Sequence, residues 1–293
     1  MTRKQIHRCG HNGHGEEETF VISRIIALIL LFILPVSAMS GQSGLETAEY
    51  QIPASLGTLY GVLQKPEGKE PVPLVITCHG FGGNHTGALD YAEYVAEGGD
   101  AVFSLDFCGG GWLSKSDGTM PEMSVLTEAK DLNAVIDYFR ADPRFTDIFL
   151  RGESQGGFVA SYVAAERPED IAGLILEYPA YVLQDDARRR QRADGSFPEY
   201  STLLGMRIGR IYSEDVVSFD IYEHMAAYGG PVQILHGDRD RLVPMRYSER
   251  AAEVYQNAEL IVMPGQGHGF LGTGRQDAME KELAFLDAVE AGK

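Results

Sequence analysis

The sequence predicts an α/β protein: a mostly parallel, twisted sheet with helices on both faces and a small inserted cap. Three observations carry that prediction. Short apolar runs that read as buried strands alternate with segments of helical period through most of the chain. One such run, 147–150, feeds a tight turn, Arg151-Gly152-Glu153-Ser154-Gln155-Gly156-Gly157, that opens a helix. The alternation lapses once, over residues 180–229, and then resumes.

Taken in order, residues 50–52 and 59–63 read as two strands of a hairpin joined by a turn at 53–57. A turn rich in Pro, Gly and Lys leads to 74–78, apolar on both faces as a central parallel strand is. A glycine-rich loop at 79–84 and a helix near 88–96 follow. Residues 101–106 form the next buried strand, ending in Cys108-Gly109-Gly110-Gly111. Val125, Ala129, Leu132, Ile136 and Phe139 fall on one face of an amphipathic helix. The 147–150 strand, its helix and a strand at 171–176 come next. The 180–229 stretch mixes a charged run with aromatic and apolar residues of no single period, as expected of a cap inserted over the sheet. Its arginines, 188–190 and 192, read as a solvated helical face. The core pattern ends with strands at 232–236 and 260–263, a helix at 248–255, and a last helix faced by Met279, Leu283 and Leu286.

At 293 residues the chain is long enough for one large α/β domain, expected over 39–293. A formal net charge of −17 argues against nucleic acid, whose phosphates need clustered cations, and disfavours adsorption to anionic lipid. Residues 25–34 are uninterruptedly apolar, preceded by Arg24 and followed by Pro35-Val36-Ser37-Ala38. That pattern predicts a signal peptide over 1–38, cleaved after Ala38, and a secreted or periplasmic protein with no stable membrane association after processing. An anchor formed by residues 25–38 is the alternative, though the apolar run is short for a membrane span. The acidic stretch Glu16-Glu17-Glu18 before it points to a true start near Val21. Cys78 and Cys108 sit at predicted strand ends and read as buried thiols, a disulfide being the alternative that export permits. No Cys or His cluster has zinc spacing, so no metal and no cofactor is expected.

In open parallel sheets, function collects at the carboxyl ends of strands. Ser154 is the candidate nucleophile, because a G-x-S-x-G turn between strand and helix lifts a serine clear of the sheet. A serine needs a base, and the base needs an orienting acceptor. His268 lies between glycines after the last strand; its rivals His79 and His236 each sit at a strand terminus before a glycine, where a structural role fits. Asp240, three residues after Gly237 and just before Leu242-Val243-Pro244, is the candidate acid. Asp238, nearer the turn, is expected to bond backbone amides in an Asx turn. The backbone N–H groups of Gln155 and Phe81 are the expected oxyanion donors, Phe81 belonging to the loop after strand 74–78.

From about Tyr50 onward these residues resemble the α/β-hydrolase superfamily. Within it the chain is most similar to bacterial feruloyl (cinnamoyl) esterases, on His79-Gly80-Phe81-Gly82-Gly83-Asn84, the elbow at 152–157, His236-Gly237-Asp238-Arg239-Asp240, and Gly267-His268-Gly269-Phe270. The resemblance implies an α/β-hydrolase fold, a Ser154–Asp240–His268 triad and hydrolysis of small-molecule or saccharide-linked esters through an acyl-enzyme, without metal. A homodimer is compatible with it. The alternatives are an acetyl or short-chain acyl esterase, a serine exopeptidase of the prolyl oligopeptidase type, and a non-catalytic binding module. The chain departs from these esterases at Glu153, where they often carry His, and in the loop 107–111; both are expected to reshape the acyl pocket.

Overall fold

The structure, a computed structural model, describes residues 39–40 and 44–292. The expected signal peptide lies outside the described residues. Among those described, no helix is long and apolar enough to cross a membrane.

Strand β1 (Met39–Ser40) pairs antiparallel with β2 (Leu45–Ala54), which turns through Ser55-Leu56 into β3 (Gly57–Pro66). The expected hairpin is therefore present, and longer than its apolar centre suggested. Then come β4 (Val72–Cys78), α1 (Leu89–Gly98), β5 (Ala101–Asp106), α2 (Val125–Arg140), β6 (Phe145–Glu153), α3 (Gln155–Glu166) and β7 (Gly173–Glu177). The chain next forms α4 (Leu183–Arg190), a hairpin of β8 (Tyr200–Leu203) and β9 (Met206–Gly209), α5 (Ile211–Val216) and α6 (Ile221–Met225). It closes with β10 (Val232–Gly237), α7 (Arg246–Val254), β11 (Ala258–Met263) and α8 (Thr273–Ala291).

The main sheet runs β1-β2-β3-β5-β4-β6-β7-β10-β11, and every pairing from β5 to β11 is parallel. Helices cover both faces. Apolar residues of α2 and α3 pack on one side, while Tyr91, Ala92 and Val95 of α1 and Ala278 and Leu286 of α8 pack on the other. The sheet direction reverses at β4: its connection leads to β5 on one flank, whereas β6 continues toward β7 on the opposite flank. The loops after β4 and β6 thus diverge and leave a crevice, where α/β sheets place their ligands.

Local chemistry explains the elements that frame this crevice. β4 is buried along almost its whole length between two parallel neighbours, so an uninterrupted apolar run is what it needs. Ser124 caps α2 by accepting from the Thr127 N–H, and Gly99 ends α1 at φ 119°, which suits glycine. The five apolar residues expected on one face of α2 are all buried. So are its Glu128 and Asp131, which no amphipathic pattern places inside. Asp131 accepts from the N–H groups of Ser55 and Cys108, both at 2.8 Å, and so ties the β2–β3 turn to the loop after β5. Cys78 and Cys108 are buried free thiols. Burial pushes both thiols up, Cys108 to about 12, which keeps them protonated and unreactive.

Candidate active site

Ser154 joins β6 to α3 with φ 53° and ψ −114°, a backbone conformation that side-chain-bearing residues rarely hold. Its neighbours allow it. A Cβ on Gly156 would lie 2.1 Å from the Cys78 carbonyl oxygen, and one on Gly152 would lie 2.5 Å from the Gly156 oxygen. Only glycine lets strand, turn and helix approach this closely. Three backbone bonds clamp the turn: Ser154 N–H to Glu177 O (3.0 Å), and the N–H groups of Phe158 (3.2 Å) and Ala180 (2.8 Å) to Ser154 O.

The loop after β11 brings His268 to this turn. Ser154 Oγ–H donates to His268 Nε2 at 2.9 Å, and His268 Nδ1–H donates to Asp240 Oδ2 at 2.8 Å. The Asp240 side chain is wholly buried, and burial alone would oppose its ionisation. Hydrogen bonds from His236, His268 and the Val243 N–H outweigh that penalty and hold its carboxyl well below the usual range. An imidazole that accepts from a serine hydroxyl and donates to a carboxylate can take up the serine proton.

The rival residues occupy structural places. His236 Nε2–H donates to Val243 O at 2.9 Å and lies 3.3 Å from Asp240 Oδ2, while its Nδ1 accepts from Ser248 Oγ–H at 2.7 Å. It fixes Asp240 from behind. His79 Nδ1–H donates to Gly80 O at 2.8 Å, and Nε2 accepts from Phe107 N–H at 3.0 Å. Burial pushes its imidazole pKa down, which suits the neutral form that this acceptor role requires. Asp238 bonds a backbone amide, but not in an Asx turn: it accepts from Gly265 N–H at 2.7 Å, across to the loop that carries His268.

Phe81 and Gln155 flank Ser154. Gln155 opens α3, where the first N–H groups have no acceptor within the helix. Phe81 follows Gly80, on which a Cβ would lie 3.2 Å from Ser154 Cβ. The Gln155 side chain is pinned, Nε2–H to Glu128 at 2.8 Å and Oε1 from Tyr212 O–H at 2.6 Å. That side-chain role is invisible in sequence, because it joins α2 and α5 to the elbow across 27 and 57 residues.

Two cavities meet at Ser154. A cleft of about 380 Å³ is lined by His268, Glu153, Asn84 and Thr86, and a pocket of about 50 Å³ by Gln155, Ala180, Leu183, Tyr212 and Val243. Phe81, Leu204 and Leu242 border both. Leu204 stands at the β8–β9 turn with φ 48°, beside Gly205 at φ 82°, in the paired left-handed conformation of a tight hairpin turn. Of these two cavities Glu153, expected to reshape the acyl pocket, lines the larger. The loop 107–111 lines neither cavity; it braces the 79–84 loop, Gly82 N–H donating to Gly110 O at 3.1 Å and Gly111 packing on the Gly83 oxygen.

A family model described as serine aminopeptidase, S33, matches residues 69–212, a span that includes the elbow. Mitochondrial palmitoyl-protein thioesterase ABHD10 of Mus musculus is 25% identical over 213 residues, covering 68% of this chain and 69% of that protein. Monoglyceride lipase of Mus musculus is 29% identical over 150 residues, covering 51% of this chain and 48% of that protein. Among solved structures, Est1E from Butyrivibrio proteoclasticus with ferulic acid bound is 28% identical, with a TM-score of 0.73 over 80% of this chain and 96% of that one. Sheet topology, the matched span and these likenesses converge on the α/β-hydrolase fold and on a hydrolase of that type, similar to esterases, thioesterases and lipases.

Proposed function

We propose that this chain is a serine carboxylic ester hydrolase that works through an acyl-enzyme, with hydroxycinnamoyl (feruloyl) esters as its leading substrate class. The unbroken line from Ser154 Oγ through His268 to Asp240 carries the reading. His268 Nε2 takes the proton as Ser154 Oγ attacks the ester carbonyl carbon. Asp240 holds the Nδ1–H and stabilises the imidazolium, while the Phe81 and Gln155 N–H groups receive the oxyanion. His268 Nε2–H then protonates the leaving alcohol. A water activated by the same nitrogen attacks the acyl-enzyme carbonyl, and the acid leaves as Ser154 regains its proton.

The leaving oxygen must be within reach of His268, so the alcohol belongs in the cleft that His268 lines. The acyl group then faces the small pocket beside Gln155, under residues 183–212, the middle of the segment we read as a cap over 180–229. Likeness to Est1E with ferulic acid bound supports an aromatic acyl group. The pocket's size supports a second reading, a short-chain acyl esterase: about 50 Å³ suits a few heavy atoms, and a feruloyl group needs the Leu204 and Tyr212 walls to part. Turnover of methyl ferulate against methyl butyrate decides between them. The feruloyl reading expects kcat/KM for ferulate at or above that for butyrate, and the reverse order favours short acyl groups. Ser154→Ala should remove turnover of both; undiminished turnover refutes the serine mechanism.

A further inference from the structure

Glu153 precedes the proposed nucleophile, takes no part in the mechanism above and lines the larger cleft beside Asn84 and Thr86. Its side chain is 21% exposed, and its Oε1 accepts from Arg151 Nη1–H at 2.7 Å and lies 3.8 Å from Arg275 Nη1. Arg151 is wholly buried, 2.8 Å from Glu177 and 2.9 Å from Glu282, with its guanidinium 4.3 Å from the Tyr91 ring centre. Arg275 is itself committed to Asp90 at 2.7 Å. Two guanidiniums therefore face four carboxylates, Asp90, Glu153, Glu177 and Glu282. Burial holds Glu177 toward its neutral form, against the pull of Arg151. Among the residues that line the cleft Glu153 carries the one carboxylate, in a chain whose formal charge is already −17.

We propose that Glu153 is a specificity-determining residue of the alcohol subsite, favouring neutral, hydroxyl-rich alcohols and rejecting anionic ones. A carboxylate at the cleft wall accepts hydrogen bonds from hydroxyl groups, and the Asn84 and Thr86 side chains extend that polar wall. A phosphate or carboxylate on the alcohol meets the same charge at the cleft wall and is repelled by it. Rejection through a repulsive element is an economical route to specificity. The inference rests on the proposed serine mechanism, in which the alcohol leaves on the side of the cleft that His268 lines.

The test compares two esters with one acyl group, 1-butyrylglycerol and 1-butyrylglycerol 3-phosphate. The wild-type chain should favour the neutral ester by about tenfold or more in kcat/KM. Glu153→Gln should shrink that ratio to about threefold or less, and Asn84→Asp, which adds a carboxylate to the same wall, should widen it. A ratio near one in the wild type overturns the inference. So does a ratio that Glu153→Gln leaves in place while both rates fall together, the mark of a purely structural role. Failure of the underlying reading looks different: the Ser154→Ala variant would then hydrolyse 1-butyrylglycerol as fast as the wild type.

Discussion

At the scale of single residues, the site depends on a few side chains with fully determined partners. Asp240 is the most constrained, receiving the Leu242 and Val243 N–H groups at 2.8 and 2.9 Å as well as the His268 ring. Replacing it with Asn leaves the shape and removes the negative partner of the imidazolium. We expect kcat to fall by on the order of 10³ to 10⁴, with KM much less changed, in steady-state kinetics of an activated ester. The same residue links stability to acid. Its carboxyl ionises below the ordinary range when folded, so its contribution is complete above about pH 4 and is lost as pH falls through the folded value. Acid melts of Asp240→Asn should accordingly be flatter below about pH 4 than those of the wild type. Ser154, Asp240 and His268 were legible because each sits in a short glycine-bearing motif at a strand end. That Glu153 lines the larger cleft was not legible, because which cavity a side chain faces depends on strand pairing, which the local motif does not record.

Among the elements, α2 carries the least expected feature, a buried Glu128 beneath the elbow helix. Burial lifts its carboxyl well above the usual range; the Gln155 hydrogen bond opposes this and nearby Asp131 adds to it. The folded chain thus retains a proton that the unfolded chain releases above about pH 4, so stability from this group falls as pH rises. Glu128→Gln keeps the shape and removes that penalty. Its Tm should exceed the wild-type value by more at pH 8 than at pH 5, and an equal offset at both would contradict the assignment. The strands and helices of the core were legible because their periods are regular. The 180–229 stretch was not, because the β8–β9 turn places Leu204 at φ 48°, where no sequence rule expects a leucine. Its helices are also short, α5 and α6 having 6 and 5 residues, too few to display a period.

For the whole molecule, the sheet's reversal at β4 explains why distant motifs form one site. The loops after β4, β6, β10 and β11 supply Phe81, Ser154, Asp240 and His268, separated by up to 114 residues between directly bonded partners. The alternation of strands and helices made that architecture legible, and the chain order Ser, Asp, His pointed to the three side chains that it brings into hydrogen-bond contact. Strand order was not legible, nor was the Arg151–Glu282 pair, which crosses 131 residues and links the strand before Ser154 to the last helix. The central claim is that Ser154 becomes acylated in a folded chain. Intact-mass measurement after exposure to a fluorophosphonate probe tests it most directly. The account predicts a single adduct, mapped to Ser154, that Ser154→Ala abolishes without loss of folding. Folded wild-type protein that takes no adduct, or a Ser154→Ala chain that is labelled equally, would contradict it.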